Sequence, residues 1–114
     1  LPGIPITGIE TKHKGTTMIK LKPADFVAIL KKGWTRKGKK IIKAYQFASF
    51  TDAFGFMAMA ALGIEKRDHH PEWTNVYNKV AVELSTHDAG GVTAKDLELA
   101  KFLDHIAAKF PKKK

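Results

Sequence analysis

The spacing of apolar residues along this chain switches between a helical and an alternating period, and each switch marks an element. Phe26, Ile29 and Leu30 share a helical face, Pro23 suits a first turn and Gly33 ends the run, which predicts a helix over Pro23–Lys32. "KIIKAYQFASF" (Lys40–Phe50) is rich in β-formers and sets Ile41, Tyr45 and Phe47 on one side, as a strand does. "TDAFGFMAMAALGIEK" (Thr51–Lys66) returns to helical spacing through Phe50, Phe54, Met57 and Ala61, with Thr51 or Asp52 placed to cap. A loop is expected from Glu65 to Trp73. "NVYNKVAVELS" (Asn75–Ser85) then alternates, with Val80, Val82 and Leu84 on one side and Lys79, Ala81 and Glu83 on the other. After Gly90 and Gly91, "TAKDLELAKFLDHIAAKF" (Thr93–Phe110) aligns Leu99, Phe102, Leu103, Ile106 and Phe110 on one amphipathic stripe.

Strands with one apolar face need a layer of helices on that side. The expected fold is therefore α+β: an antiparallel sheet, four-stranded if each long strand region splits, with about three helices packed on one face. The free sheet face meets either water or another copy. Residues 1–20 carry two prolines, three glycines and no sustained period, so they read as a loosely ordered N-terminal extension with a short extended piece at Ile4–Ile9. The domain spans 21–110, and 111–114 is a basic tail expected to be solvated.

A chain of 114 residues suits one core. The longest apolar run, Phe54–Ile64, is 11 residues, well short of the ~20 that span a bilayer, so no membrane role is expected. The first residues lack the charged, apolar and small sequence of a secretory leader. Without cysteine there is no disulfide, thiolate nucleophile or thiolate metal site, and a reducing compartment is permitted. The net charge of +9 is unevenly placed: residues 1–43 hold eleven basic and two acidic groups, while the rest balance. Much of the excess sits in "KKGWTRKGKK" (Lys31–Lys40), which reads as a solvated basic turn. No zinc-finger spacing or aromatic RNA-reading motif accompanies it, so nucleic acid is not an expected partner.

Three of the five histidines flank one strand: His69 and His70 before it, His87 after it. Three readings stand open for them. They are solvated loop residues, ligands of an open zinc site, or a proton-transfer set, since imidazole gains and loses a proton near neutral pH. The zinc reading lacks an i, i+4 histidine pair and a completing carboxylate or cysteine, so no metal is expected. Asp96 is equally two-sided. In "TAKD" it fits a capping box with Thr93, and it could also serve catalysis. Trp73 reads as core.

"AFGFM", "EKRDHHPEWTNVYNKV" and "LSTHD", in this order, resemble the pterin-4a-carbinolamine dehydratases, a family also known as the dimerisation cofactor of a homeodomain transcription factor. The similarity runs from about Leu21 to Phe110, and its HHP-x-W…STH center is specific. The resemblance implies dehydration of a 4a-hydroxytetrahydropterin to quinonoid dihydropterin, in recycling of the pterin that aromatic hydroxylases use, with neither redox cofactor nor metal. It implies His70 as central base or substrate anchor, His69 and His87 as flanking acids, and Asp96 as the acid that orients a histidine. Asp68, Ser85, Thr86 and Asp88 fall where the family contacts the pterin. A homodimer or homotetramer is implied as well, with a transcription-factor helix as an alternative partner. The implied location is the cytoplasm, with the nucleus added where such a partner is engaged.

Overall fold

The computed structural model describes residues 23–114; His13 and the extended piece expected at Ile4–Ile9 lie outside the described residues. Three helices and four strands follow one another among them: α1 (Pro23–Leu30), β1 (Thr35–Lys37), β2 (Lys40–Gln46), α2 (Phe50–Arg67), β3 (Glu72–Val76), β4 (Lys79–Leu84) and α3 (Ala94–Ala107). A one-turn 3-10 helix, His87–Ala89, precedes α3. The sheet is antiparallel throughout, in the order β1-β2-β4-β3, so the fold is α+β as expected.

Alternation places Ile41, Tyr45, Val80, Val82 and Leu84 on the face that meets the helices, and all five are buried. Leu99, Leu103 and Ile106 cover them from α3, with Phe102 and Phe110 half-buried. On the opposite face, at one end of the strands, Lys40 Nζ bridges Glu72 and Glu83 at 2.7 and 2.8 Å. The Lys40 ammonium holds the Glu83 carboxyl below its ordinary range. Such an exposed trio contributes little to stability.

Several boundaries differ from the sequence reading. The expected basic turn folds into β1 and its hairpin, with Thr35–Lys37 pairing to Ile42–Lys40 around Gly38 at φ 61°. All three β1 side chains are exposed, so no apolar alternation announced this edge strand. β2 ends at Gln46, and Ser49 rather than Thr51 or Asp52 caps α2, its Oγ accepting from the Asp52 amide at 3.1 Å. α2 persists to Arg67 and β3 begins at Glu72, so the expected 65–73 loop is shorter. The strand predicted over Asn75–Ser85 is a hairpin that turns at Tyr77 and Asn78, with Tyr77 at φ 53°. Asn78 is buried there. Its Nδ2 donates to the Phe47 carbonyl, and the Phe47 amide donates to the Asn78 carbonyl, each at 2.8 Å.

The largest correction concerns α2. Phe50, Phe54 and Ala61 do not face the core; they are exposed, and of the predicted stripe only Met57 packs partly inward. The buried face is Ala53, Phe56, Ala60 and Ile64. Apolar residues surround this helix, so period alone does not select a side. Packing against α3 selects it. A Cβ on Gly63 would come within 2.2 Å of the Phe102 ring, and one on Gly55 within 2.8 Å of Phe110. Two α2 glycines thus let two α3-side aromatics lie against its backbone.

A polar cluster ties α3 to β2. Asp104 Oδ1 accepts from Lys43 Nζ at 2.7 Å and Tyr45 Oη at 2.6 Å, while Oδ2 accepts from Trp34 Nε1 at 3.1 Å. Trp34 is thereby a core residue, not the start of a solvated turn. The tail keeps its side chains exposed, yet its backbone pairs: Lys112 bridges to Phe47, and the Lys113 amide donates to Gln46.

Burial, reinforced by the bond to Asp104, holds the Tyr45 hydroxyl well above its ordinary value of 10.0. The folded chain keeps this proton at pH values where the unfolded chain loses it, so Tyr45 stabilises fully below about pH 10 and progressively less above it. Urea unfolding at about pH 8 and pH 11 should show that decline, and Tyr45→Phe should flatten it while costing about 1–2 kcal/mol at neutral pH. Parallel alkaline losses in both proteins would contradict the assignment.

Candidate active site

Three chain segments converge at one end of the sheet, each delivered by the stop of an element. α2 ends at Arg67 and is capped by Asp68, whose left-handed φ of 52° turns the chain toward His69. β4 ends at Leu84 and hands over Ser85, Thr86 and the 3-10 turn at His87. An isolated bridge between Thr86 and Gly91 closes that turn, returning the chain to α3. There Thr93 and Asp96 form the predicted capping box: the Asp96 side chain accepts from the Thr93 amide at 2.9 Å.

Asp96 is completely buried. Its Oδ1 lies 2.7 Å from His69 Nε2, and its Oδ2 accepts from Thr86 Oγ1 at 2.8 Å as well as from the Thr93 amide. Thr86 and Thr93 hydroxyls are 2.6 Å apart. With the Thr86 proton directed at Asp96, the Thr93 hydroxyl must donate to Thr86, and Thr93 Oγ1 in turn accepts from the Lys95 amide at 3.2 Å. Both oxygens of the carboxylate have donors, one on Oδ1 and two on Oδ2. An ionised carboxylate only accepts, so it selects the His69 tautomer with its proton on Nε2. Nδ1 is left as the nitrogen without a hydrogen-bond partner among the described residues. The local sequence left Asp96 between a cap and a catalytic residue, and the resemblance implied that it orients a histidine; in the structure the cap carboxylate is also hydrogen-bonded to His69.

The other candidates are placed more loosely. His70 is over half exposed, with Nε2 3.4 Å from the exposed Glu65 Oε1. His87 and Asp88 are exposed on the 3-10 turn beside Thr86, and Ser85 is half-buried. Asp68 is exposed and terminates α2, its amide donating to the Glu65 carbonyl. The structure therefore bonds His69, Asp96 and Thr86 directly, and brings His87 and Asp88 near only through the chain. Among the described residues, no group of three His, Asp or Glu side chains is placed to hold a metal ion. A cleft of about 260 Å³ lies against His69, lined also by Arg67, Ala94, Lys95 and Glu98. None of these four companions was singled out from sequence, because they lie on two helices brought together only by folding.

The family model described as Pterin 4 alpha carbinolamine dehydratase matches residues 19–106. The chain belongs to this family. A relative from Solibacter usitatus, provisionally named a pterin-4-alpha-carbinolamine dehydratase, is 56% identical over 75 residues, covering 66% of this chain and 79% of its own. A second with the same provisional name, from Afipia carboxidovorans, is 55% identical over 80 residues, covering 68% and 80%. The crystal structure of a transcriptional coactivator/pterin dehydratase from Brucella melitensis superposes with a TM-score of 0.71 at 42% identity, over 78% of this chain and 99% of that one. A pterin dehydratase-like RuBisCO assembly factor of the alpha-carboxysome shares the fold at 19% identity, with a TM-score of 0.56 over 65% and 86% of the two chains. Asp96 joins the HHP and STH segments of this dehydratase-family chain, through His69 and Thr86.

Asp96→Asn would oppose an amide N–H₂ to one of these donors in a site without water access. It should cost about 1–3 kcal/mol in chemical denaturation, because a buried donor loses its acceptor. A change below about 0.5 kcal/mol would show that the network does not hold the three segments together.

Proposed function

We propose that this chain dehydrates a 4a-hydroxytetrahydropterin to quinonoid dihydropterin by histidine acid–base catalysis, in the recycling of a reduced pterin. The observation that carries the reading is the His69–Asp96 pair, fixed by Thr86 and Thr93 and set against a cleft. Family membership supplies the substrate class.

The reaction breaks the C4a–O bond and forms a C4a=N5 double bond. The hydroxyl leaves as water after receiving a proton, and N5 gives up its own. Protons and water are all that move, so the reaction is redox-neutral and needs no redox cofactor; the pterin is the substrate, and in this reading histidines rather than a metal carry the protons. His69 in its protonated form suits the acid: Asp96 holds Nε2 and orients the ring, which leaves Nδ1 to donate. His70, exposed beside it, suits the base that accepts the N5 proton or anchors the ring. His87 is a second acid on the opposite lip. Asp68, Ser85 and Asp88 supply polar contacts to the pterin from the same two segments, while Thr86, expected among them, is buried with its hydroxyl committed to Asp96 and Thr93 and supports the site from behind.

Ultraviolet absorbance of freshly generated 4a-hydroxytetrahydropterin should decay faster with the protein present. His69→Ala and His70→Ala should each lose about 100-fold or more, the usual contribution of a positioned acid or base. His105→Ala, on the exposed side of α3, should retain the rate. Equal, mild effects from all three would reject the site.

The exposed stripe of α2 supports self-association. Phe50, Phe54, Met59 and Leu62 are 48%, 58%, 42% and 77% exposed, and Phe50 and Phe54 already lie side by side with ring centroids 5.9 Å apart. Large apolar side chains at i, i+4 and i+12 form a continuous seam that a second copy of the same helix covers without any new chemistry. The oligomer is therefore a homodimer or homotetramer built on α2. Sedimentation equilibrium should give at least twice the chain mass, and Phe54→Glu should return it to one chain; a single-chain mass for the unaltered protein would exclude the seam.

A further inference from the structure

The cleft beside His69 carries charge that dehydration does not use. Arg67 and Lys95 line it, with Glu98. Arg67 is the last residue of α2, and its position is set by packing: the guanidinium carbon lies 4.2 Å from the centroid of the Phe102 ring, and Nη1 donates to the Gly63 carbonyl at 3.3 Å. Phe102 is itself seated against the bare backbone of Gly63. The guanidinium is thus held in place while its remaining N–H donors have no partner among the described residues. Lys95 projects from the first turn of α3, exposed, and forms no ion pair among the described residues. Glu98 is the opposing charge, and it lies 3.8 Å from Lys101 Nζ.

Two cations, one of them pre-positioned, therefore border the cleft beside the His69–Asp96 pair without bonding to it. Elimination of water from the pterin ring requires neither of them. A guanidinium stacked on an aromatic ring loses little side-chain freedom on binding and matches a carboxylate or phosphate through paired N–H donors. We propose that the cleft takes a reduced pterin whose ring substituent carries an anionic group, received by Arg67 and Lys95. This assignment rests on the pterin reading and adds the class of substrate to it.

The test compares the affinities of three pterins at low salt by fluorescence titration. One is neutral (7,8-dihydrobiopterin), one carries a phosphate (7,8-dihydroneopterin 3′-phosphate) and one carries carboxylates (7,8-dihydrofolate). At least one anionic pterin should bind about tenfold more tightly than the neutral one, the gain typical of a charge-assisted contact. Which of the two does so identifies the anion. The preference should shrink with added salt, because both cations are exposed. Arg67→Gln should reduce the ratio to near one, and Glu98→Gln should raise it by removing the opposing charge. An unaltered protein that binds all three equally, or a ratio that survives Arg67→Gln, overturns the assignment while leaving the pterin reading intact. Binding of none of the three rejects the pterin reading and this assignment together.

Discussion

A buried carboxylate is the constraint on which this architecture turns. Asp96 has no exposure to solvent, so its charge is tolerable only if every oxygen lone pair that matters meets a donor. Its three donors come from three places: His69 after α2, Thr86 after β4 and the Thr93 amide at the start of α3. Leaving any one of them out would cost more than the contact itself is worth, since a buried acceptor then goes unsatisfied. The requirement welds the ends of two helices and a strand. It also converts a helix cap into the support of a histidine. Stability and chemistry draw on one group.

The same end of the molecule depends on close helix packing. Gly63 lets Phe102 reach the α2 backbone, and the Arg67 guanidinium lies over that ring. The sequence from core to cleft is continuous: glycine, aromatic ring, guanidinium. At the other end of α3, Asp104 gathers Lys43, Tyr45 and Trp34 and holds the helix on β2. α3 is therefore clamped by one carboxylate near each end, with the apolar stripe between them. A helix held this way presents Asp96 and Lys95 with little freedom to shift, which suits a site that works by orientation.

Family membership and geometry support different parts of the functional reading. The match over residues 19–106 brings the pterin and the dehydration. The hydrogen-bond network distinguishes among the histidines: His69 is oriented, whereas His70 and His87 are presented on exposed backbone. On the remaining surface, the exposed apolar side chains Phe50, Phe54, Met59 and Leu62 gather on the outer side of α2.

Local pattern determined much of this protein by itself. Alternation in "KVAVEL" picked the buried side of β4 correctly, the final helix stripe lies on the core, and "TAKD" announced its capping box, because each depends on residues a few positions apart. β1 was invisible for the opposite reason: an edge strand with three exposed side chains is held by backbone pairing to β2. The outer and inner faces of α2 were interchanged because apolar residues surround it, and only the glycine–aromatic fit with α3 decides which side is core. The histidines could be counted from the sequence but not sorted. Whether His69 meets Asp96, 27 positions away, is settled by where a left-handed stop at Asp68 points the chain and where α3 begins. Sequence determines which groups exist and the local turns that carry them; long-range packing alone decides which of them touch.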